Sequence, residues 1–343
     1  MTKSAVELRA VPSLKILPYL SNFMNLLNYP MSHLVIVDGH AIAHRAYHSI
    51  PPLTSNGQPV NAIYGFYSMI LSALDTLKPK YLIVCLDSPG PNFRNEEFVG
   101  YRAQRKPADV DLKTQLPLLP KTLESAGISH YSMGGFEADD LIATITRKSL
   151  RRHKKGKKII NKVTIITGDK DLMQLVDDKV SLFVPVQGLS VTKTYDSEAV
   201  KERLGVNPNQ VVDLKALMGD QSDNYPGIEG IGPKTAIDLL TKFQTLDNIY
   251  SSLENSADIK DTVKSKLIKD KENAYLSQKL ASLVINIPLK FTLRSSRLVP
   301  DTYLSLEKLF SEYNFKSLLA RIRRRYPQKS TKNTSDSNQA SLF

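Results

Sequence analysis

His33-Leu34-Val35-Ile36-Val37-Asp38-Gly39 is a short apolar run that stops at an aspartate and a glycine. Tyr81-Leu-Ile-Val-Cys-Leu-Asp87 repeats the pattern, and Val163-Thr-Ile-Ile-Thr-Gly-Asp169-Lys-Asp171 gives it a third time. Apolar runs without polar alternation read as strands buried on both faces, which belong to parallel sheets covered by helices. Between the first two runs, Ala41–Ile50 and Asn61–Leu77 read as helices, so the chain reads as α/β. In such sheets ligands bind beyond the carboxyl ends of the strands. Asp38, Asp87 and Asp169 are therefore expected along one edge, joined by Asp171. Each alone is an ordinary turn or N-cap residue; three in register ask for a shared reason.

Gly134-Gly-Phe-Glu137-Ala-Asp139-Asp140-Leu-Ile-Ala143 brings three more carboxylates, placed before an apolar run that reads as a helix. One or two acids in a first helical turn offset the positive end of the helix dipole. Here the surplus points to cation binding. His40, His44 and His48 recur at i, i+4 and i+8, yet hard divalent ions prefer the oxygen ligands already present. Arg45, on the same helix, is the better candidate for a phosphate contact.

The 343-residue chain carries 41% hydrophobic residues, a single cysteine (Cys85) and a net charge of +12. This length suits two domains, or one large domain with additions. One cysteine excludes an internal disulfide framework or a cysteine zinc site and fits a reducing cytosol. A basic chain with a tight acidic cluster suits a polyanionic partner, lysines and arginines holding it while acids hold metal ions that act on it.

Residues 88–120 are rich in turns and mixed charge, including Phe93-Arg94 and Tyr101-Arg102-Ala-Gln-Arg105-Lys-Pro107. Aromatics interleaved with arginines suit single-stranded nucleic acid, where bases stack and phosphates pair. Arg147–Lys162 is a dense basic run, read as a surface loop that adds non-specific affinity. Met218-Gly-Asp220-Gln-Ser-Asp223-Asn-Tyr-Pro-Gly227-Ile-Glu-Gly230-Ile-Gly232-Pro-Lys234-Thr235 places two acids before a glycine-rich turn and a helix, Lys234–Phe243. Glycines admit close backbone approach and helix-start amides bind phosphate, so the turn reads as a DNA-backbone grip. Leu304–Arg325 reads as one further helix.

These ordered motifs resemble the bacterial 5′ nuclease family: the 5′→3′ exonuclease domain of DNA polymerase I, its stand-alone relatives and, more distantly, the flap endonucleases. The resemblance covers residues 33–325, with a counterpart for each of the family's nine acids. It implies a PIN-like α/β domain (31–196) with a mostly parallel sheet and a helical arch at about 88–120. It also implies a helix–three-turn–helix domain (197–295) and a C-terminal helical segment (296–327). Residues 1–30 are read as an extension or a start codon set too early, and 328–343 as a disordered tail. Family members hydrolyse phosphodiesters near 5′ ends and flap junctions. Two or more Mg2+ or Mn2+ ions, about 3.5–4 Å apart, do so by activating water and neutralising charge. Asp38, Asp87, Glu137, Asp139 and Asp140 form the implied inner metal group, with Asp169, Asp171, Asp220 and Asp223 the second. Arg102 and Arg105 match catalytic positions at the arch base. Tyr101, Arg45, Gly227, Gly230, Gly232, Lys234 and Thr235 complete the nucleic-acid contacts, and K+ is implied at the helix–three-turn–helix. The ending Gln339-Ala-Ser-Leu342-Phe343 resembles the peptide by which bacterial proteins dock on the sliding clamp.

The expectation is a cytoplasmic, monomeric, metal-dependent 5′ nuclease acting on DNA flaps, nicks and RNA–DNA primer junctions, with no membrane partner. A clamp-associated accessory protein of weak activity is the rival, and a gap among the acids would favour it. A PIN-type ribonuclease on free RNA fits less well with the Gly227–Lys234 turn.

Overall fold

The computed structural model describes residues 32–151, 159–189, 191–254 and 256–326. Strands β1 (His33–Asp38), β4 (Tyr81–Cys85), β5 (Ser129–Tyr131), β6 (Lys162–Ile166), β7 (Val180–Gln187) and β8 (Val191–Tyr195) make one sheet, in the order β5-β4-β1-β6-β7-β8. Only β8 runs antiparallel, at the edge beside β7. The two-residue strands β2 (Thr54–Ser55) and β3 (Gln58–Pro59) form a separate hairpin.

The apolar runs have the expected cause. Leu34, Ile36, Ile83, Cys85, Val163 and Ile165 enter one core, while Val35, Val37, Leu82, Val84 and Ile166 enter the other. Successive side chains of a strand point to opposite faces, so a strand covered on both sides must be apolar at every position. Thr164 is the polar exception on β6; its hydroxyl lies 2.9 Å from His33 Nε2 and 3.2 Å from the Ser181 hydroxyl.

On one face lie α1 (Gly39–Ser49), α2 (Asn61–Leu77) and α5 (Leu118–Ser125), after the short α3 (Phe93–Glu97) and α4 (Val110–Gln115). The other face carries α6 (Ala138–Leu150). Next in the chain are α7 (Ser197–Leu204), α8 (Val211–Met218), α9 (Pro233–Phe243), α10 (Leu246–Ser251), α11 (Asp261–Lys269) and α12 (Lys271–Ala281). Their apolar faces join the α6 core without interruption, and the described residues form one compact unit.

The segment expected as one C-terminal helix is two, α13 (Pro300–Glu312) and α14 (Lys316–Arg325). Asn314 sits in the left-handed region (φ 54°) and Phe315 N–H closes on Phe310 O at 2.8 Å, which ends the first helix. Both phenylalanines bury in the α2 core, and that burial outweighs continued helix. In 88–120 the described structure is two short helices linked by turns, followed by the start of α5 at Leu118. The 1–30 extension, much of the basic run and the Gln339–Phe343 motif lie outside the described residues.

Candidate metal centre and nucleic-acid grip

β1 pairs with β4 on one side and β6 on the other. The connection from β1 runs to β4, while β6 is entered by the crossover from β5 and leads away to β7, so the direction of connection switches between β1 and β6. That switch opens a crevice at the carboxyl ends, where Asp38, Asp87, Asp139 and Asp169 line a cavity of about 240 Å³ with His40, His44, Arg102 and Arg105. Asp38 ends β1 and caps α1, accepting from Ala41 N–H at 3.1 Å and from the Thr167 hydroxyl at 2.9 Å. Burial, reinforced by Asp87, pushes its carboxyl up to about 7. Asp87 accepts from Ala138 N–H at 2.9 Å, which ties the β4 end to the first turn of α6. Asp139 has no hydrogen bond or ion pair among the described residues, and burial beside Asp38 and Asp169 holds it well above the usual carboxylate range. Asp169 is oriented by its own N–H on the Thr167 hydroxyl at 2.9 Å.

The remaining acids have cations. Glu137 accepts from Arg102, from Asn92 Nδ2 at 2.8 Å and from the Tyr101 hydroxyl at 3.0 Å. Burial raises its carboxyl, against the pull of Arg102 and Arg94. Asp223 accepts from Arg102 Nε at 3.1 Å and Arg105 Nη2 at 2.7 Å. Lys215, on α8, bridges Asp171 and Asp220. Burial near Asp169 still lifts Asp171 to about 7. Burial acts upward on Asp220 too, but bonds from Lys215 and Ser222 prevail and bring it down to about 2. Asp171, Lys215, Asp220 and Ser222 line a second cavity of about 660 Å³ together with His44, Arg45 and Asp169, so Asp169 and His44 stand on the wall between the two.

Among the described residues no three acidic, histidine or cysteine side chains converge on a single point. The first group lines a common space, where neighbouring carboxylates raise one another's proton affinity. Its all-oxygen donor set is nevertheless the one that Mg2+ or Mn2+ prefers.

Three expected contacts are placed differently. Tyr101 is 3% exposed, stacked on Tyr225 with its hydroxyl on Glu137, so its ring is not open to a base. Asp140 is fully buried against Arg94 and lines neither cavity. Arg45 lines the larger cavity but donates to the carbonyls of Val186 at 3.1 Å and Gly188 at 3.4 Å, which fixes its head at the β7–β8 turn. Sequence reasoning passed over Lys215 and Arg94. Lys215 has one near partner, Asp220, five positions on, but Asp171 lies 44 positions back, and Arg94 is 46 positions from Asp140, so neither pairing has a local signal.

The glycine turn has the expected form. A Cβ on Gly227 (φ 60°) would sit 2.1 Å from Gly219 N, so two backbones touch there. Gly230 (φ 73°) turns the chain again, and its carbonyl accepts from Lys266 Nζ at 2.9 Å. Gly232 caps α9, with Lys234 exposed in the first turn beside Thr235.

Family models match in tandem. Residues 33–205 match the 5′-3′ exonuclease N-terminal resolvase-like domain, and 206–303 the 5′-3′ exonuclease C-terminal SAM fold. The chain is 36% identical to the 5′-3′ exonuclease of Aquifex aeolicus over 88% of its own length and 98% of that protein. It is 39% identical to DNA polymerase I of Caldicellulosiruptor bescii over 84% of its length, but spans only 33% of that protein. Its fold is shared with the zinc-bound T5 5′-exonuclease (TM-score 0.59, 24% identity, 84% of this chain and 99% of that one). It is shared also with the catalytic core of Rad2 in complex with DNA substrate (TM-score 0.54, 16% identity, 86% and 92%).

Proposed function

The chain belongs to the 5′-3′ exonuclease family, and from that premise we propose that it hydrolyses phosphodiester bonds at the 5′ ends and flaps of duplex DNA and of RNA–DNA primer junctions, using divalent metal ions. The observation that carries this is the cavity at the sheet's carboxyl edge, where four carboxylates line one space bordered by Arg102 and Arg105.

Asp38, Asp87, Asp139 and Asp169, with Glu137 at the rim, would hold the inner ions, and Asp171, Asp220 and Asp223 further ions once Lys215 and the arginines move aside. Bound Mg2+ or Mn2+ supplies an activated water and neutralises charge on the phosphate. The chain's own part is to hold the strand in place. Arg102 and Arg105, now paired with Asp223, are cationic forks that a phosphate can take over from the carboxylate. The Gly227–Lys234 turn offers backbone amides at a helix start, a sequence-independent grip on the duplex backbone. K+ would be held by backbone carbonyls of this turn, where Lys266 now donates to Gly230 O at 2.9 Å.

The rest of the proposal is a monomer working in the bacterial cytosol, docked on a sliding clamp through Gln339, Leu342 and Phe343. Deleting the last five residues should abolish clamp binding. No helix among the described residues is long and apolar enough to cross a membrane. The accessory-protein rival is not favoured, since the full-length match is to a protein named as an exonuclease.

A labelled 5′-flap duplex with Mg2+ tests the reading. Cleavage near the junction should disappear with EDTA and in Asp171→Ala while DNA binding persists. Binding without cleavage under Mg2+ or Mn2+ would overturn it.

A further inference from the structure

We propose that Asp140 is not a metal ligand but half of a buried positioning pair with Arg94, through which the arch base, the α6 acids and the α12 end are held in one frame. The inference rests on the metal-dependent reading above and concerns how its geometry is kept.

Asp140 and Asp139 are neighbours on α6 with opposite surroundings. Asp139 lines the cavity and has no bonded cation. Asp140 is 0% exposed, and both its oxygens face Arg94: Nη1 to Oδ2 and Nη2 to Oδ1, each at 2.8 Å. Oδ1 also accepts from Val284 N–H at 2.9 Å, and Oδ2 from Glu137 N–H at 3.2 Å. A carboxylate has about four lone-pair sites, and here all are taken, next to a fixed positive charge that repels a divalent ion.

Arg94 is equally committed. Besides Asp140, Nε donates to Leu280 O at 2.8 Å, Nη2 to Ser282 O at 3.1 Å, and Nη1 reaches Glu137 at 3.4 Å. A guanidinium has five N–H donors, and each one is placed. Its side chain is 2% exposed, out of reach of a substrate phosphate.

The carbonyls it grips belong to the last turn and cap of α12, from which an extended strap continues to Leu289. Thr144 donates to Val284 O at 2.9 Å and accepts from Ile287 N–H at 3.3 Å. Lys148 donates to Ile287 O at 2.8 Å and Leu289 O at 3.2 Å. Asp140, Thr144 and Lys148, at i, i+4 and i+8, make one stripe of α6. Gln174, three residues after Asp171, bonds the same strap at Ala281 O (3.0 Å) and Leu283 N–H (3.3 Å). The segments carrying Glu137, Asp139 and Asp171 thus share one stretch of backbone as their reference.

Mn2+ binding followed by electron paramagnetic resonance separates a ligand from a positioning residue, using the whole chain as wild type, Asp139→Asn, Asp140→Asn and Arg94→Lys. Asp139→Asn should lose an ion, while Asp140→Asn and Arg94→Lys keep wild-type stoichiometry with affinity within about twofold. On a flap duplex both should lower kcat by about 10²-fold, the scale of a 1 Å misplacement, with KM nearly unchanged. The double variant Arg94→Lys/Asp140→Asn should lose little more than either single one, as parts of one unit do. Loss of an ion in Asp140→Asn, or additive losses, would overturn the inference. Absence of Mn2+ binding in the wild type would instead overturn the metal reading. If Asp140→Asn does not fold, Arg94→Lys decides: unchanged kcat, or a lost ion, refutes the pair.

Discussion

The two carboxylate groups at the sheet edge are close in space and opposite in electrostatic construction. Asp38, Asp87, Asp139 and Asp169 surround a cavity with no cation bonded among them, and Asp38 and Asp139 are pushed upward by burial and mutual repulsion. Asp171, Asp220 and Asp223 are bridged by Lys215 or held by Arg102 and Arg105. In the proposed reading the first group takes up ions from solution. The second carries its own countercharge, which an incoming ion or phosphate must displace. A folded chain can tolerate the first arrangement only because the rest of the core is extensive.

The contrast breaks most visibly at Asp139. Asp139→Asn should reduce flap cleavage by at least about 10³-fold, the equivalent of several kcal/mol of lost charge stabilisation, yet raise the melting temperature of the metal-free chain. Activity assay and calorimetry on one preparation check both; a lower melting temperature would mean that Asp139 is not strained. Lys215→Met should do the reverse to the other group. Removing the ammonium leaves Asp171 and Asp220 without a partner, at a cost of about 3 kcal/mol at pH 8 without metal, measurable by urea denaturation. No change would mean that the pairing is not worth its desolvation.

The pH dependence is the smallest effect and sharpens the same contrast. Asp38 titrates near 7 when folded, against an unfolded value of 3.8. The folded state therefore holds more protons between those values, and metal-free stability falls as pH rises through that window, then levels above about 7. Asp220, lowered to about 2, acts oppositely: its contribution is present above 3.8 and fades as pH falls toward 2. Asp171, lifted to about 7, acts with Asp38 through the same window while Asp220 is silent there, so a net loss of about 2–3 kcal/mol between pH 5 and 8 is expected. Added Mg2+ should raise the melting temperature more at pH 8 than at pH 5, and equal shifts would remove the basis for the open group.

The sheet was legible because β1, β4 and β6 are central strands buried on both faces, which their unbroken apolar runs announce. β5 is three residues, Ser-His-Tyr, half buried throughout, and carries no such signal. The acids were legible by their placement after strands and at a helix start. Their partners were not. Nothing in the spacing of Phe93-Arg94 says that the guanidinium turns inward toward Asp140, because that pairing exists only once α3 packs on α6 and the α12 end. Tyr101 was misread for the same reason: an aromatic beside arginines looks ready to stack on a base until Tyr225 and Glu137 close around it. The break at Asn314 was hidden too, since the apolar spacing continues through it and only the burial of Phe310 and Phe315 selects the turn.

The strap from Leu280 to Leu289 is held almost wholly by side chains of other elements acting on its main-chain amides and carbonyls. Every amino acid except proline presents those same groups. Polar substitutions along the strap's solvent side should therefore drift freely through evolutionary time, while Arg94, Asp140, Thr144 and Lys148 change only together. The heritable record of this joint lies in the clasp rather than in the segment it fastens.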